Sequence, residues 1–277
     1  MLKYSNCKIC SKTIKNINAT YQLVECDNCG LIFSENIFTQ EEFVKVYNEL
    51  YNGANSSYQR HSKVEFEKLK AGEISIGKNR TNLVNRNIVK NSNCKSVLEI
   101  GSGIGLVGSY IRLKNTTIKY TGVELDKEAY LKSKSLGLNT FNGDFQEISK
   151  FDESFDVIML WEVIEHLQDL NLFLELAYSK LNEGGKIILS TPNYNKILNY
   201  PNGKKDKLYQ NEPPIHLNFF TADNIQAVFK FKGFSSVEIR EKKFPYVEKN
   251  IMQFIKNTLK ALMGKYYGPT LYLVARK

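Results

Sequence analysis

The sequence predicts an α/β fold, a doubly wound Rossmann-like sheet preceded by a small four-cysteine ribbon. Three observations predict it. The apolar run Val97-Leu98-Glu99-Ile100 ends in Gly101-Ser102-Gly103-Ile104-Gly105, and an apolar helical pattern follows at Leu106, Val107, Tyr110 and Ile111. That is a buried strand, a tight turn and a helix start. Four further apolar runs of strand length follow within the next hundred residues. Near the N-terminus, Cys7-x2-Cys10 and Cys26-x2-Cys29 are separated by fifteen residues.

The four cysteines come first in the chain. Thiolates at this spacing close a tetrahedron around zinc, and so short a segment needs such a staple to fold. Residues 1–34 therefore read as two knuckles joined by a hairpin whose return strand is Tyr21-Gln22-Leu23-Val24. Cys94 is left over as a small buried residue before the first core strand. Residues 40–51 read as a helix with Phe43, Val46, Tyr47 and Leu50 on one face, broken by the polar stretch Asn52–Ser57. A second helical segment runs from about Ser62 to Val89, with an interruption near Gly72. The expected domains are a ribbon at 1–36, a helical linker or lid at 37–92 and the α/β domain at 93–277.

Within the core, Tyr120-Thr121-Gly122-Val123 ends in Glu124, about twenty residues after the glycines, where an acid can accept both hydroxyls of a ribose. A third strand ends at Gly143-Asp144-Phe145. Phe155–Leu160 is the fourth and Gly185–Ser190 the fifth. A polar loop, 193–214, follows. Thr221-Ala222-Asp223-Asn224 caps a helix that Gly233 stops, and Ser236–Ile239 and Thr270–Val274 are the last two strands. Between them, 246–264 is helical in pattern. Ile251, Phe254, Ile255, Leu259 and Leu262 form an apolar stripe beside Lys249, Lys256 and Lys260. Packing on its own domain is the expected use of that stripe, with a membrane surface or a partner as the alternative.

Composition narrows the classes. The 277 residues are 42% hydrophobic and 24% charged, ordinary for a globular protein. No apolar run approaches the roughly 18 residues that span a bilayer, and the N-terminus has no apolar signal core, so a cytoplasmic protein is expected. The net charge of +9 is unevenly placed. Residues 196–277 hold 15 Lys and Arg against 6 Asp and Glu, whereas residues 1–195 hold 23 of each. Such an excess suits an anionic substrate or is plain solvated surface.

The ordered set of strand ends resembles the class I S-adenosylmethionine (SAM) methyltransferases over roughly residues 75–277. A dinucleotide fingerprint needs G-x-G-x-x-G, and here Leu106 follows Gly105. The resemblance implies a seven-stranded methyltransferase sheet and assigns roles. Gly101 and Gly103 let the backbone approach the amino-acid end of SAM, and Glu99 meets its amino group. Glu124 matches the ribose acid, Asp144 the acid that receives the adenine amine, and Phe145 the neighbour flanking the ring. Trp161 sits just past the fourth strand, near the cofactor.

Two segments bear on the acceptor. Glu162, Glu165 and His166 lie at i, i+3 and i+4, one face of a helix, directly after the fourth strand. This trio is similar to one in the ubiquinone-pathway O-methyltransferases, where it is linked to a divalent metal. Pro213–Thr221, containing His216, is similar to the histidine segment of sugar C-methyltransferases that also begin with a four-cysteine zinc domain. There the histidine is a general base. Here Ile215 replaces its acidic neighbour, and the large C-terminal domain of those enzymes is missing. Tyr47, Tyr51, Tyr58 and His61 are weaker candidates for the pocket. The expected activity is methyl transfer to an oxygen, less readily a nitrogen, of a small anionic metabolite. A sugar nucleotide or other precursor of a surface polysaccharide or natural product fits. Nucleic acid is a disfavoured partner, although an RNA methyltransferase, metal-assisted at the 2′-oxygen, is one alternative. A non-catalytic SAM-binding interaction protein is another.

Overall fold

The structure, a computed structural model, describes residues 2–39, 41–43, 57–198, 213–245 and 250–277. At its centre is strand β6 (Ser96–Ile100), whose Val97, Leu98, Glu99 and Ile100 are all buried. It pairs in parallel with β7 (Lys119–Glu124) and with β9 (Phe155–Trp161), and β7 pairs in parallel with β8 (Thr140–Asn142). Strands buried on both faces read as continuous apolar runs, which is why the glycine-terminated run was legible as the middle of a sheet. With β10 (Leu181–Pro192), β12 (Ser236–Glu241) and β13 (Thr270–Arg276), the seven-stranded order is β12-β13-β10-β9-β6-β7-β8. Asp156 fixes the entry of β6: one carboxylate oxygen accepts the backbone N–H groups of Lys95 at 2.7 Å and Ser96 at 2.9 Å.

The chain divides into two compact units. One comprises Thr39–Trp161, Asn171–Ile188 and Arg276–Lys277. It holds helices α1 (Ser57–Lys70), α2 (Lys78–Val84, continued by a π turn over Asn85–Val89), α3 (Leu106–Lys114), α4 (Lys127–Ser135) and α5 (Leu170–Lys180, from its second residue). The expected helix 62–89 is therefore two helices, with residues 71–77 as the break and Gly72 at φ +81°. Of the expected helix 40–51, Glu41–Phe43 are helical. Val46, Tyr47, Leu50 and Tyr51 lie outside the described residues. Tyr58 and His61 lie on α1.

The other unit comprises Met1–Phe38, Glu162–Leu170 and Leu189–Ala275. Its ribbon strands β2 (Ile14–Asn18), β3 (Leu23–Cys26) and β4 (Ile32–Ser34) pair antiparallel, so the return strand begins two residues later than the sequence suggested. Short β1 (Leu2–Lys3) pairs with β5 (Asn36–Ile37). A fourth strand, β11 (Asn218–Phe219), adds to β4, matching Asn218 with Phe33 and Phe219 with Ile32. The ribbon is thus continued by residues 218–219, from the far end of the chain's sequence. Leu23, Ile32, Tyr194 and Phe219 form the core beneath it, with Tyr194 at the start of α6 (Tyr194–Leu198).

Helix α7 (Ala222–Phe231) locks this arrangement. Thr221 and Asn224 form a reciprocal capping box, Thr221 Oγ1 accepting Asn224 N–H and Asn224 Oδ1 accepting Thr221 N–H. The Asn224 Nδ2 group donates to the carbonyls of Gly30 and Phe219, both at 3.1 Å. Helix α8 (Ile251–Leu262) departs from expectation. It is helical, but Ile251, Ile255, Leu259 and Leu262 are exposed, and only Phe254 of the stripe is half-buried. Lys249 lies outside the described residues.

Asn224→Ala removes the box and the side-chain donor to the Gly30 and Phe219 carbonyls. It should destabilise the protein by about 2–4 kcal/mol in urea unfolding. A loss under about 0.5 kcal/mol would mean the cap is not what ties α7 to the ribbon.

Candidate functional site

The turn after β6 is made by three glycines at positive φ: Gly101 at +69°, Gly103 at +56° and Gly105 at +83°. They serve different ends. A Cβ on Gly105 would lie 2.4 Å from Leu138 Cδ1, so that glycine permits close packing. A Cβ on Gly103 would meet nothing within 4 Å, so that glycine leaves open space over its backbone. Glu124, at the end of β7, clasps the turn. Its two carboxylate oxygens accept Gly103 N–H at 2.6 Å and Asp126 N–H at 2.8 Å. Burial pushes its pKa up, and the Asp126 and Gly103 N–H groups pull the other way.

Glu99 is buried within β6, and Tyr120 Oη donates to it at 2.5 Å. Burial pushes the Glu99 carboxyl up to about 8, against the pull of the Tyr120 hydrogen bond and the Arg80 charge. Arg80 on α2 places its guanidinium 5.1 Å from the centre of the Trp161 ring. The buried indole of Trp161 also helps to hold the Glu99 carboxyl down. Tyr120 and Arg80 were not singled out from the sequence. In the sequence Tyr120 is one residue of an apolar strand pattern, and a lone arginine on a helix carries no spacing signal. Asp144 is exposed and caps the short 3-10 helix Phe145–Lys150, accepting Gln146 N–H at 2.8 Å. Phe145 is buried edge-on to Phe173, with ring centres 5.7 Å apart.

The acidic and histidine residues come together differently from a helical face. Only Ile164–His166 are helical, as one 3-10 turn, and Glu162 stands before it at φ +56°. Glu162 is exposed and accepts Ser190 Oγ–H at 2.6 Å. The cluster that forms is Glu165, His166 and His216, with ligand atoms all within 4.8 Å of one another, and Glu162 stands outside that set but near enough for its charge to act on Glu165. Ile215 carbonyl meets His166 Nδ1 at 2.6 Å. A carbonyl only accepts, so Nδ1 carries the proton and Nε2 keeps a bare lone pair. That lone pair lies 3.9 Å from Glu165 Oε1. Thr191 Oγ–H donates to the other oxygen of Glu165 at 3.0 Å, while Oε1 is buried with no partner among the described residues. The two imidazole rings meet edge-to-face at 4.7 Å.

Electrostatics in this cluster favour neutral forms. Burial, then the nearby Glu162 charge, push the Glu165 carboxyl well above the usual range. Burial lowers His166, and burial together with His166 lowers His216 to about 3. Two neutral imidazoles, a carboxyl with an orphaned oxygen and a free ring lone pair are a donor set suited to a divalent cation.

A second cluster lies in the ribbon. Cys7, Cys10, Cys26 and Cys29 also bring their sulfurs within 4.8 Å, with Cys7–Cys29 at 3.6 Å and Cys10–Cys26 at 3.4 Å. Sulfurs about 2.3 Å from a central ion stand roughly 3.8 Å apart in a tetrahedron, so the spacing fits. Backbone N–H groups of Asn28 and Cys29 point at Cys26 Sγ, as they do in a knuckle built for a thiolate. The neighbouring Cys29 thiol also draws Cys7 down, to about 5.

Comparison with known proteins agrees with this architecture. The sequence family described as "Methyltransferase domain" matches residues 75–239. A probable S-adenosylmethionine-dependent methyltransferase of Mycolicibacterium smegmatis is 26% identical over 142 residues, 50% of this chain and 52% of that protein. A ubiquinone biosynthesis O-methyltransferase of Pseudomonas putida is 27% identical over 111 residues, 36% and 46% of the two chains. The chain thus spans about half the length of these two relatives. A SAM-dependent methyltransferase from Archaeoglobus fulgidus shares the fold, with a TM-score of 0.52 and 17% identity over 85% of this chain and 99% of that one.

His216 provides a test of the electrostatics. With its pKa held below the ordinary 6.5, the unfolded chain binds a proton that the folded one refuses. This contribution to stability is therefore lost as pH falls from about 6.5 towards 3. Ring resonances of His216 in metal-free protein should stay at their neutral positions from pH 8 to about pH 5 in NMR spectra. A midpoint near 6.5 would show an open, solvated ring instead.

Proposed function

We propose that this chain, which belongs to the methyltransferase-domain family, is a SAM-dependent methyltransferase that methylates an oxygen of a small anionic metabolite. A sugar nucleotide, or another precursor of a surface polysaccharide or natural product, is the class we favour, handled in the cytoplasm. One observation carries this reading: the buried Glu165 and His216 form a polar cluster with the half-buried His166, beginning four residues after Trp161 in the sequence. An oxygen nucleophile must lose a proton as the methyl group arrives, whereas an amine needs only positioning. A buried carboxyl and two neutral imidazoles are machinery for moving that proton. The excess of positive charge in residues 196–277 supplies the attraction for an anion.

At the cofactor, Gly101 and Gly103 give the amino-acid end of SAM room to approach the backbone. Glu124 already spends one lone pair on each of two N–H groups, and each oxygen keeps another for a ribose hydroxyl. Glu99 stands near neutrality until a cation approaches, so the ammonium of SAM would draw it into its charged form. Asp144 receives the adenine amine, Phe145 flanks the ring and Trp161 borders the cofactor. The four cysteines hold a structural zinc ion.

At the acceptor, His216 takes the proton. Its ring is neutral at pH 7, so a bare ring nitrogen is ready to accept it. A second reading rests on the orphaned Glu165 Oε1 and the bare Nε2 of His166. Glu165, His166 and His216 fit a divalent cation, and such an ion would lower the pKa of a bound hydroxyl. Glu162, turned to Ser190, would then support the cluster electrostatically without joining it.

Glu124→Ala should weaken SAM binding by about 1–3 kcal/mol in calorimetry, the cost of charge-assisted hydrogen bonds to the ribose. Unchanged affinity would refute the ribose assignment.

His216→Asn should lower turnover by about 10²–10⁴ while SAM affinity holds. A chelator that leaves the zinc content at about one equivalent separates the two readings of the cluster. Activity lost and restored by added metal selects the cation, and chelator-insensitive turnover selects the base. Full activity in His216→Asn would refute both.

A further inference from the structure

Helix α8 is built inside out. It begins at Asn250, whose side chain accepts Gln253 N–H at 3.1 Å, and ends at Gly264 with φ +69°. At 100° per residue, Ile251, Leu262, Ile255, Leu259, Met252 and Met263 fall on one continuous arc of about 120°. Every one of them is exposed, between 52% and 80%. The opposite side, with Gln253, Asn257, Ala261 and Phe254, is the half-buried one, and at the edge of the arc Thr258 Oγ1 is buried without a hydrogen-bond partner among the described residues. An ordinary surface helix turns these two faces the other way.

The charges beside the arc say what covers it. Lys256 and Lys260 follow directly on the wheel, and Lys265 lies just past the helix end. Residues 250–277 contain five Lys and Arg and no Asp or Glu. A second copy related by a two-fold axis would bring the same lysines towards each other, which disfavours self-association. An apolar face bordered by lysines in an acid-free segment suits a bilayer surface, with side chains among the acyl chains and ammonium groups at anionic headgroups. We infer that α8 is an interfacial anchor that lays this protein on an anionic membrane surface. Its length of twelve residues and its lysines make it a helix that lies in the interface; no helix among the described residues is long and apolar enough to cross a membrane.

Vesicle flotation tests the inference without reference to catalysis. The full chain should float with phosphatidylcholine vesicles containing phosphatidylglycerol, at low salt, and bind pure phosphatidylcholine at least about tenfold more weakly. Ile255→Ser with Leu259→Ser should weaken binding to the anionic vesicles by about tenfold or more. Lys256→Glu with Lys260→Glu should remove the preference for anionic lipid. All four positions are partly or fully solvent-facing, so circular dichroism and urea midpoints should match the parent. No binding to anionic vesicles at low salt would overturn the inference, as would binding that both double variants retain. So would a dimer in analytical ultracentrifugation that Ile255→Ser with Leu259→Ser dissociates, because the arc would then belong to a second copy.

Discussion

The short stretch Ile215–Phe219 is the constraint on which the four-cysteine unit depends. It is held from both sides by backbone. Ser34 N–H donates to the Leu217 carbonyl at 3.0 Å, and Leu217 N–H donates to the Glu165 carbonyl at 2.7 Å. Asn218 extends the clasp, its Nδ2 donating to the carbonyls of Ile164 at 3.0 Å and Leu167 at 2.7 Å. The Ile215 carbonyl fixes the His166 ring. One strand edge therefore joins the ribbon on one side to the Glu165–His166 turn on the other and places His216 between them. The ribbon is a scaffold for the histidine cluster rather than an appended module. β3, which ends at Cys26, pairs with β4, β4 pairs with the stretch, and the stretch holds two of the three polar side chains.

The other unit meets a different constraint with similar means. A turn of three positive-φ glycines is floppy in an unfolded chain and costs entropy to order. Glu124 offsets part of that cost by bridging Gly103 and Asp126, so the acid that would bind ribose also shapes the turn before any ligand arrives. Tyr120 does the same for Glu99. Both acids are buried and carry raised pKa values, the usual sign of groups kept for a ligand instead of for stability.

Much of this was legible in the sequence. The glycine turn, the acid ending β7 and the cysteine spacing are local signals, and each appears where its residues predicted it. The capping box at Thr221 is local too. What was not legible depends on tertiary pairing. The i, i+3, i+4 spacing of Glu162, Glu165 and His166 promised one helical face, but Glu162 takes a positive φ and turns to Ser190, while His216 arrives from fifty residues away through a strand of two residues. Nothing in residues 213–221 announces that they pair with residues 32–33. The stripe on α8 is legible in the sequence as amphipathic. Its direction was not readable, because periodicity gives a face and only packing says which way it points.

Hydrogen exchange read by mass spectrometry on Cys29→Ser tests the scaffold most directly. If the ribbon holds the histidine cluster, peptides covering 213–219 and 162–167 exchange faster in the variant, while peptides covering 96–124 keep their protection. Unchanged protection at Leu217 in a chain that has lost its ribbon would contradict the account.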